Sequence, residues 1–135
     1  VQLHGSETPA RVTEIKQLTN LSIMKVIKLA GPEDLASAAA YYDVADRLLF
    51  DAKAPADMKN ALPGGNALAF DWKLIAGRDW PLPWMLSGGL AVENLAVAVK
   101  TSGTRAVDVS SGVEDEPGRK SPAKIRAFIQ AAARL

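Results

Sequence analysis

The chain contains no cysteine, which excludes disulfides, thiolate metal sites and a thiol nucleophile within these residues and leaves the redox compartment open. It also lacks an excess of charge. Sixteen Lys and Arg stand against fifteen Asp and Glu, a formal net charge of +1, so no sequence-wide field exists to hold a polyanion, and binding of nucleic acid in bulk is not expected. No apolar run approaches the roughly 20 residues of a membrane helix, so no membrane partner is expected either. The first residue is Val1 rather than Met, and the chain opens directly into VQLHG without a leader, as a chain entered part-way. What is present is globular: 135 residues, 48% hydrophobic and 23% charged, one domain's worth of protein.

Short apolar runs alternate with helix-like segments. VQLH (1–4) is a strand candidate ended by Gly5. Thr8 before Pro9 is an N-cap with proline at the first helical position, and Val12, Ile15 and Leu18 follow at helical spacing, predicting a helix over 9–19. IMKVIKL (23–29) is a second strand, punctuated by Gly31 and Pro32 before the helix-favouring DLASAAAYY. RLLFDAK (47–53) is a third, followed by a long loop with Pro55, Pro63, Gly64 and Gly65. A short helix is predicted from near Asp71, a fourth strand in PWMLSGGL (83–90), a helix in ENLAVAVK and a fifth strand in RAVDVSSG (105–112). Ser121 and Pro122 cap a last helix with Ile125, Phe128, Ile129 and Ala132 on one face.

Strands separated by helices imply right-handed βαβ crossovers and a parallel sheet, open and doubly wound or part of a barrel. A dinucleotide fold carries its glycine cluster after the first strand. Here SGGL and SSG follow the last two strands, the distribution of a barrel that binds phosphate on its final βα loops. Gly88 and Gly89 let the backbone approach a ligand, and Ser110, Ser111 and Gly112 offer N–H groups and hydroxyls at the neighbouring strand end, so a phosphorylated small molecule is the expected ligand. A glycine pair after one strand is ordinarily a plain turn; two such loops on consecutive final strands favour a site.

VQLHG, LLFDAK with PGG and FDW after it, LSGGL with EN after it, and VDVSSGVE with PG resemble, in this order and spacing, the C-terminal part of phosphoribosylanthranilate isomerase. The resemblance covers essentially the whole chain. It implies an α/β fold of the TIM (β/α)8 barrel family, of which this chain supplies roughly strands four to eight as a partial barrel, with residues 1–135 the C-terminal part of one barrel domain. Such barrels take about 200 residues or more, and five of eight units come to roughly 125 to 135. The implied activity is the tryptophan-biosynthesis step that converts N-(5-phosphoribosyl)anthranilate to 1-(2-carboxyphenylamino)-1-deoxyribulose 5-phosphate by an Amadori rearrangement, cytoplasmic, without metal or organic cofactor.

The resemblance assigns the general acid to Asp51, at the ligand end of its strand, and substrate binding to Asp108. It places the general base on a cysteine of the first barrel strand, absent here, so these residues alone are expected to be inactive. Opening a furanose needs a proton delivered to the ring oxygen, and a carboxyl that donates near neutrality must be held protonated by burial or a nearby negative charge, so the pKa of Asp51 is expected to be raised. By position alone, a strand-end Asp merely caps the following turn, and Asp108 is a salt-bridge partner. His4, the single histidine, faces the ligand mouth or is a satisfied structural residue. Where family members carry GG-x-G after the acid, this chain has GGNA, with Ala67 in the last place, and the preceding PADMKNAL lengthens that loop. Trp72, Trp80 and Trp84 are read as packing. A lone parallel sheet of this size leaves two edges unpaired, so the missing N-terminal strands or a second chain are expected to close it. The alternative is a non-catalytic phosphate-binding partial barrel or truncation product. Another phosphate-binding barrel, such as an indoleglycerol-phosphate synthase or a ribulose-phosphate epimerase, is disfavoured by VDVSSGVE and FDW.

Overall fold

The computed structural model describes residues 1–53 and 69–135. The expectations on Pro55, Pro63, Gly64, Gly65 and Ala67 lie outside the described residues. Strands β1 (Gln2–Leu3), β2 (Met24–Leu29), β3 (Arg47–Ala52) and β4 (Trp84–Leu86) form one parallel sheet in the order β1-β2-β3-β4. Each strand lies beside its predecessor in sequence. A doubly wound sheet reverses direction at a switch point, and none occurs here, so the strand order is that of a barrel wall.

The first connection is α1 (Pro9–Thr19), whose start is as expected: Arg11 N donates to Thr8 Oγ1 at 3.3 Å. Val12 is buried, whereas Leu18 is 74% exposed. The alanine-rich run of the second connection forms a 3₁₀ helix over Pro32–Tyr41 instead of an α-helix. Its buried residues explain the difference. Leu35 and Ala38 are buried and Tyr41 half-buried at a spacing of three, the period at which a 3₁₀ helix keeps one face on the sheet. Asp71 caps a single 3₁₀ turn, Trp72–Leu74, through Lys73 N.

Beyond β4 come α2 (Val92–Ser102), a 3₁₀ turn over Ser111–Val113, a hairpin of β5 (Glu114–Glu116) and β6 (Arg119–Lys120), and α3 (Pro122–Ala132). The hairpin was not anticipated; PG at 117–118 makes its turn. The fifth strand expected over 105–112 is reduced to one parallel bridge, Leu86 with Val107. Only Leu86 of β4 meets this segment. Leu86 N donates to Ala106 O at 3.0 Å and Asp108 N to Leu86 O at 2.8 Å, a parallel ladder one residue long. Ser121 takes the N-cap position of α3 without a side-chain bond, and of the expected apolar face Phe128 is buried while Ile129 is 61% exposed.

Alternation along the strands divides the sheet into two faces. Ile27, Leu29, Leu48, Phe50, Ala52 and Leu86 pack with Leu35, Leu95, Ala98 and Phe128 in the main core, under the helices. Phe50, with no exposed surface, anchors it, its ring 4.5 Å from that of Trp80 and 5.6 Å from that of Trp84. The three tryptophans thus pack against the core, as expected. On the helix side of β2, Lys25 is nearly fully buried, and its Nζ donates to Leu3 O (3.2 Å), Gly5 O (2.8 Å) and Glu7 Oε2 (2.9 Å). An ammonium is tolerated there because all three donors are used. It ties down the segment that follows β1.

Candidate functional site

On the face of the sheet turned away from the helices, four polar groups stand in a row at the C-terminal ends of the strands. Lys28 of β2 is the register partner of Asp51 of β3. Leu86 pairs with Phe50 on one side and Val107 on the other, so the next residues, Ser87 and Asp108, stand beside Asp51 in turn. Ser87 N donates to Phe50 O at 2.8 Å, and Ser87 Oγ donates to Asp108 Oδ2 at 3.1 Å. Four neighbouring strand ends therefore present Lys28, Asp51, Ser87 and Asp108 side by side. The layer below, Val26 and Leu49, is buried and apolar.

Asp51 is 6% exposed. Burial pushes its carboxyl pKa above the ordinary value; the Ala52 N–H and positive charge at His4 and Lys28 work against that, and the Asp108 carboxylate adds to the upward shift. Oδ1 accepts from Ala52 N at 2.8 Å, and Oδ2 accepts no hydrogen bond among the described residues. The carboxyl is thus held through Oδ1 by the backbone of its own strand.

His4 directly follows β1. Leu3 belongs to the helix-side cluster, so alternation turns His4 to the face of Asp51. Its Nε2 pairs with Gln2 Oε1, while Nδ1 is buried without a partner among the described residues. A buried polar atom left unpaired within a site is a position for a ligand group.

The two glycine loops converge. A Cβ on Gly112 would fall on the Leu90 carbonyl oxygen, so the loop after Val109 can lie against the loop after β4 only with glycine there. Gly88 (φ 85°) and Gly89 (φ 63°) are left-handed, and a Cβ on Gly88 would lie 2.6 Å from Ala52 N and 3.0 Å from Asp51 Oδ1. Gly88 thus brings its loop onto Asp51. Ser110 departs from expectation, being exposed with its hydroxyl and carbonyl accepting from Lys120 Nζ at 3.2 and 2.8 Å. Ser111 opens a single 3₁₀ turn rather than a longer helix.

Sequence reasoning missed three residues here. Asn94 of α2 donates from Nδ2 to Gly89 O (2.8 Å) and accepts at Oδ1 from Ala91 N (2.9 Å), holding the glycine loop to the helix start; its signal was the EN after LSGGL. Ser87 orients Asp108 and was passed over as part of the turn. Lys28 was legible from strand alternation, which sets Lys25 and Lys28, three apart, on opposite faces. Among the described residues no group of three His, Cys, Asp or Glu could hold a metal ion, and no helix is long and apolar enough to cross a membrane.

Residues 1–131 match the family described as PRAI, N-(5'phosphoribosyl)anthranilate (PRA) isomerase. The N-(5'-phosphoribosyl)anthranilate isomerase of Rhodospirillum centenum is 58% identical over 135 residues, which are 100% of this chain and 63% of the relative. That of Parvibaculum lavamentivorans is 60% identical over 134 residues, 99% of this chain and 62% of the relative. The crystal structure of phosphoribosyl anthranilate isomerase from Thermotoga maritima superposes with a TM-score of 0.80 at 34% identity, covering 100% of this chain and 62% of that one. A phosphoribosyl anthranilate isomerase in complex with reduced 1-(o-carboxyphenylamino)-1-deoxyribulose 5-phosphate superposes with a TM-score of 0.77 at 32% identity, covering 100% of this chain and 59% of that one.

Proposed function

Because the chain belongs to the N-(5'-phosphoribosyl)anthranilate isomerase family, we propose that its polar row is the acid-bearing and phosphate-binding part of an isomerase site. The reaction is the Amadori rearrangement of N-(5-phosphoribosyl)anthranilate to 1-(2-carboxyphenylamino)-1-deoxyribulose 5-phosphate. The observation that carries the reading is Asp51: a buried carboxyl of raised pKa, in a row with Asp108 and in contact range of the glycine loop.

The chemistry follows from that placement. The converging loops at Gly88–Gly89 and Ser111–Gly112 hold the phosphate through backbone N–H groups. Held there, the sugar has its ring oxygen over Asp51. Asp51 Oδ2 gives its proton to that oxygen as the C1–O bond breaks and the anilino nitrogen lone pair forms the C=N bond of a Schiff base. Loss of the C2 proton to a base then gives the enolamine, and tautomerisation gives the ketone. Asp108, oriented by Ser87, accepts from a sugar hydroxyl or the amine. His4 Nδ1 is the remaining polar contact for substrate.

The resemblance puts the base on a cysteine, and these residues contain none. We therefore place the base outside them, and expect this chain by itself to bind phosphorylated ligand without turnover. The same reading makes the chain roughly strands four to eight of the barrel, the remaining strands or a second chain closing the sheet. The open strand order and the 62–63% share of the relatives' length support it.

Isomerisation is followed as the loss of anthranilate-type fluorescence, and binding of the reduced product analogue by calorimetry. The chain alone should bind the analogue and show no turnover; turnover by the chain alone would place the base among these residues. With the rest of the barrel supplied, activity should appear, and Asp51→Asn should abolish it while changing analogue affinity by less than about threefold. Activity retained in Asp51→Asn removes the acid from this account.

A further inference from the structure

The lysines of the central strands differ in one respect. Lys25 is committed to Glu7 and two carbonyls, and Lys53, just past β3, to Asp34 at 2.6 Å. Lys28, half-buried between them, makes no hydrogen bond or ion pair among the described residues. It is the register partner of Asp51 on the neighbouring strand and the same face, and parallel strands run about 4.8 Å apart. A cation is thus placed beside the buried carboxyl without a structural partner among the described residues.

We propose that Lys28 is the counter-charge of Asp51, a positioning residue whose ammonium stabilises the carboxylate that Asp51 becomes when its proton leaves. The inference rests on reading Asp51 as the proton donor. A carboxyl made neutral by burial alone is a poor acid, because the anion left behind is as badly solvated as the one burial suppressed. In the ring-opening step the Asp51 O–H bond breaks, the new O–H bond forms on the sugar oxygen, and one negative charge appears on Asp51. Among the described residues four groups face that charge. Positive charge at Lys28 on β2 and at His4 after β1 favours it, Asp108 repels it, and the Ala52 N–H donates to it. Of the two that can be positive, Lys28 stands on the strand next to Asp51 and in direct register with it, whereas His4 lies one strand further away. Lys28 is therefore the adjacent partner.

The test needs no turnover. In this chain labelled with ¹³C at the aspartate carboxyls, the Asp51 resonance, assigned by its loss in Asp51→Asn, is titrated in wild type, Lys28→Met, Lys28→Gln and Lys28→Arg. Both uncharged variants should move the Asp51 midpoint upward by about one unit, and Lys28→Arg should hold it within about 0.3 unit of wild type. Two uncharged substitutions guard against one that fails to fold. The proposal is overturned if neither uncharged variant raises the midpoint, or if Lys28→Arg moves it as far as they do, since a packing role would respond that way. Failure of the proton-donor reading is separate: it appears as activity retained by Asp51→Asn, whatever Lys28 does to the titration.

Discussion

Gly88→Ala tests whether the glycine loop is held onto the acid by close approach or merely turns the chain. Two costs add at this position. At φ 85° an L side chain pays about 1–2 kcal/mol for the left-handed backbone. The new Cβ would also lie 2.6 Å from Ala52 N and 3.0 Å from Asp51 Oδ1. Ala52 N is backbone within the central strand, so relief requires moving the loop or the strand, an overpacking cost of about 1–3 kcal/mol. The sum is about 2–5 kcal/mol. Gly103, the αL residue that ends α2, provides the control: its φ is 75°, and a Cβ there meets nothing within 4 Å, so Gly103→Ala carries the backbone cost alone. Urea unfolding of wild type and both variants separates the terms. Gly88→Ala should lose about 1–3 kcal/mol more than Gly103→Ala and should weaken binding of the phosphorylated analogue. Equal losses in the two variants would refute the close approach, and with it the claim that the loop is seated against Asp51.

Two further outcomes follow from buried charge. Because the folded pKa of Asp51 lies above its unfolded value, its contribution to stability is fully present below the unfolded pKa and lost as pH rises through the folded pKa. Asp51→Asn should therefore gain stability relative to wild type as pH rises from about 4 toward neutrality; a constant difference across urea titrations in that range would contradict the raised pKa. Lys25→Met leaves Glu7 and two carbonyls without their donor in a site where the lysine side chain is 3% exposed, and should cost about 3 kcal/mol in urea unfolding. Burial pushes the Glu7 carboxyl up, but the Lys25 hydrogen bond and charge, together with the backbone N–H groups of Glu7 and Gly5, outweigh it and hold the pKa below its ordinary value. The stability Glu7 contributes is accordingly present above its unfolded pKa and lost as pH falls through the folded one, and Lys25→Met should abolish that acid-side loss.

Much of the molecule was legible from local signals, because strand runs, proline starts and glycine stops act within a few residues. Thr8–Pro9, the branched runs ending at Leu29 and Ala52, and Asp71 before its turn lie where the sequence puts them. The motif blocks offered Asp51, Asp108 and the two glycine loops as candidates and passed over Lys28, Ser87 and Asn94, although alternation along β2 and β3 separates Lys25 from Lys28 and Phe50 from Asp51. Only tertiary structure decided the rest. The alanine-rich segment became 3₁₀ because Leu35, Ala38 and Tyr41 had to meet the sheet at a spacing of three, a demand that helix propensity does not contain. The fifth strand shrank to a bridge because only Leu86 of β4 meets it, through two ladder bonds, and such pairing is decided between strands and not within one. The row of Lys28, Asp51, Ser87 and Asp108 joins residues up to 80 positions apart in the chain. It exists because register carries each of them to the same level, and register is a property of pairs of strands, not of any one of them.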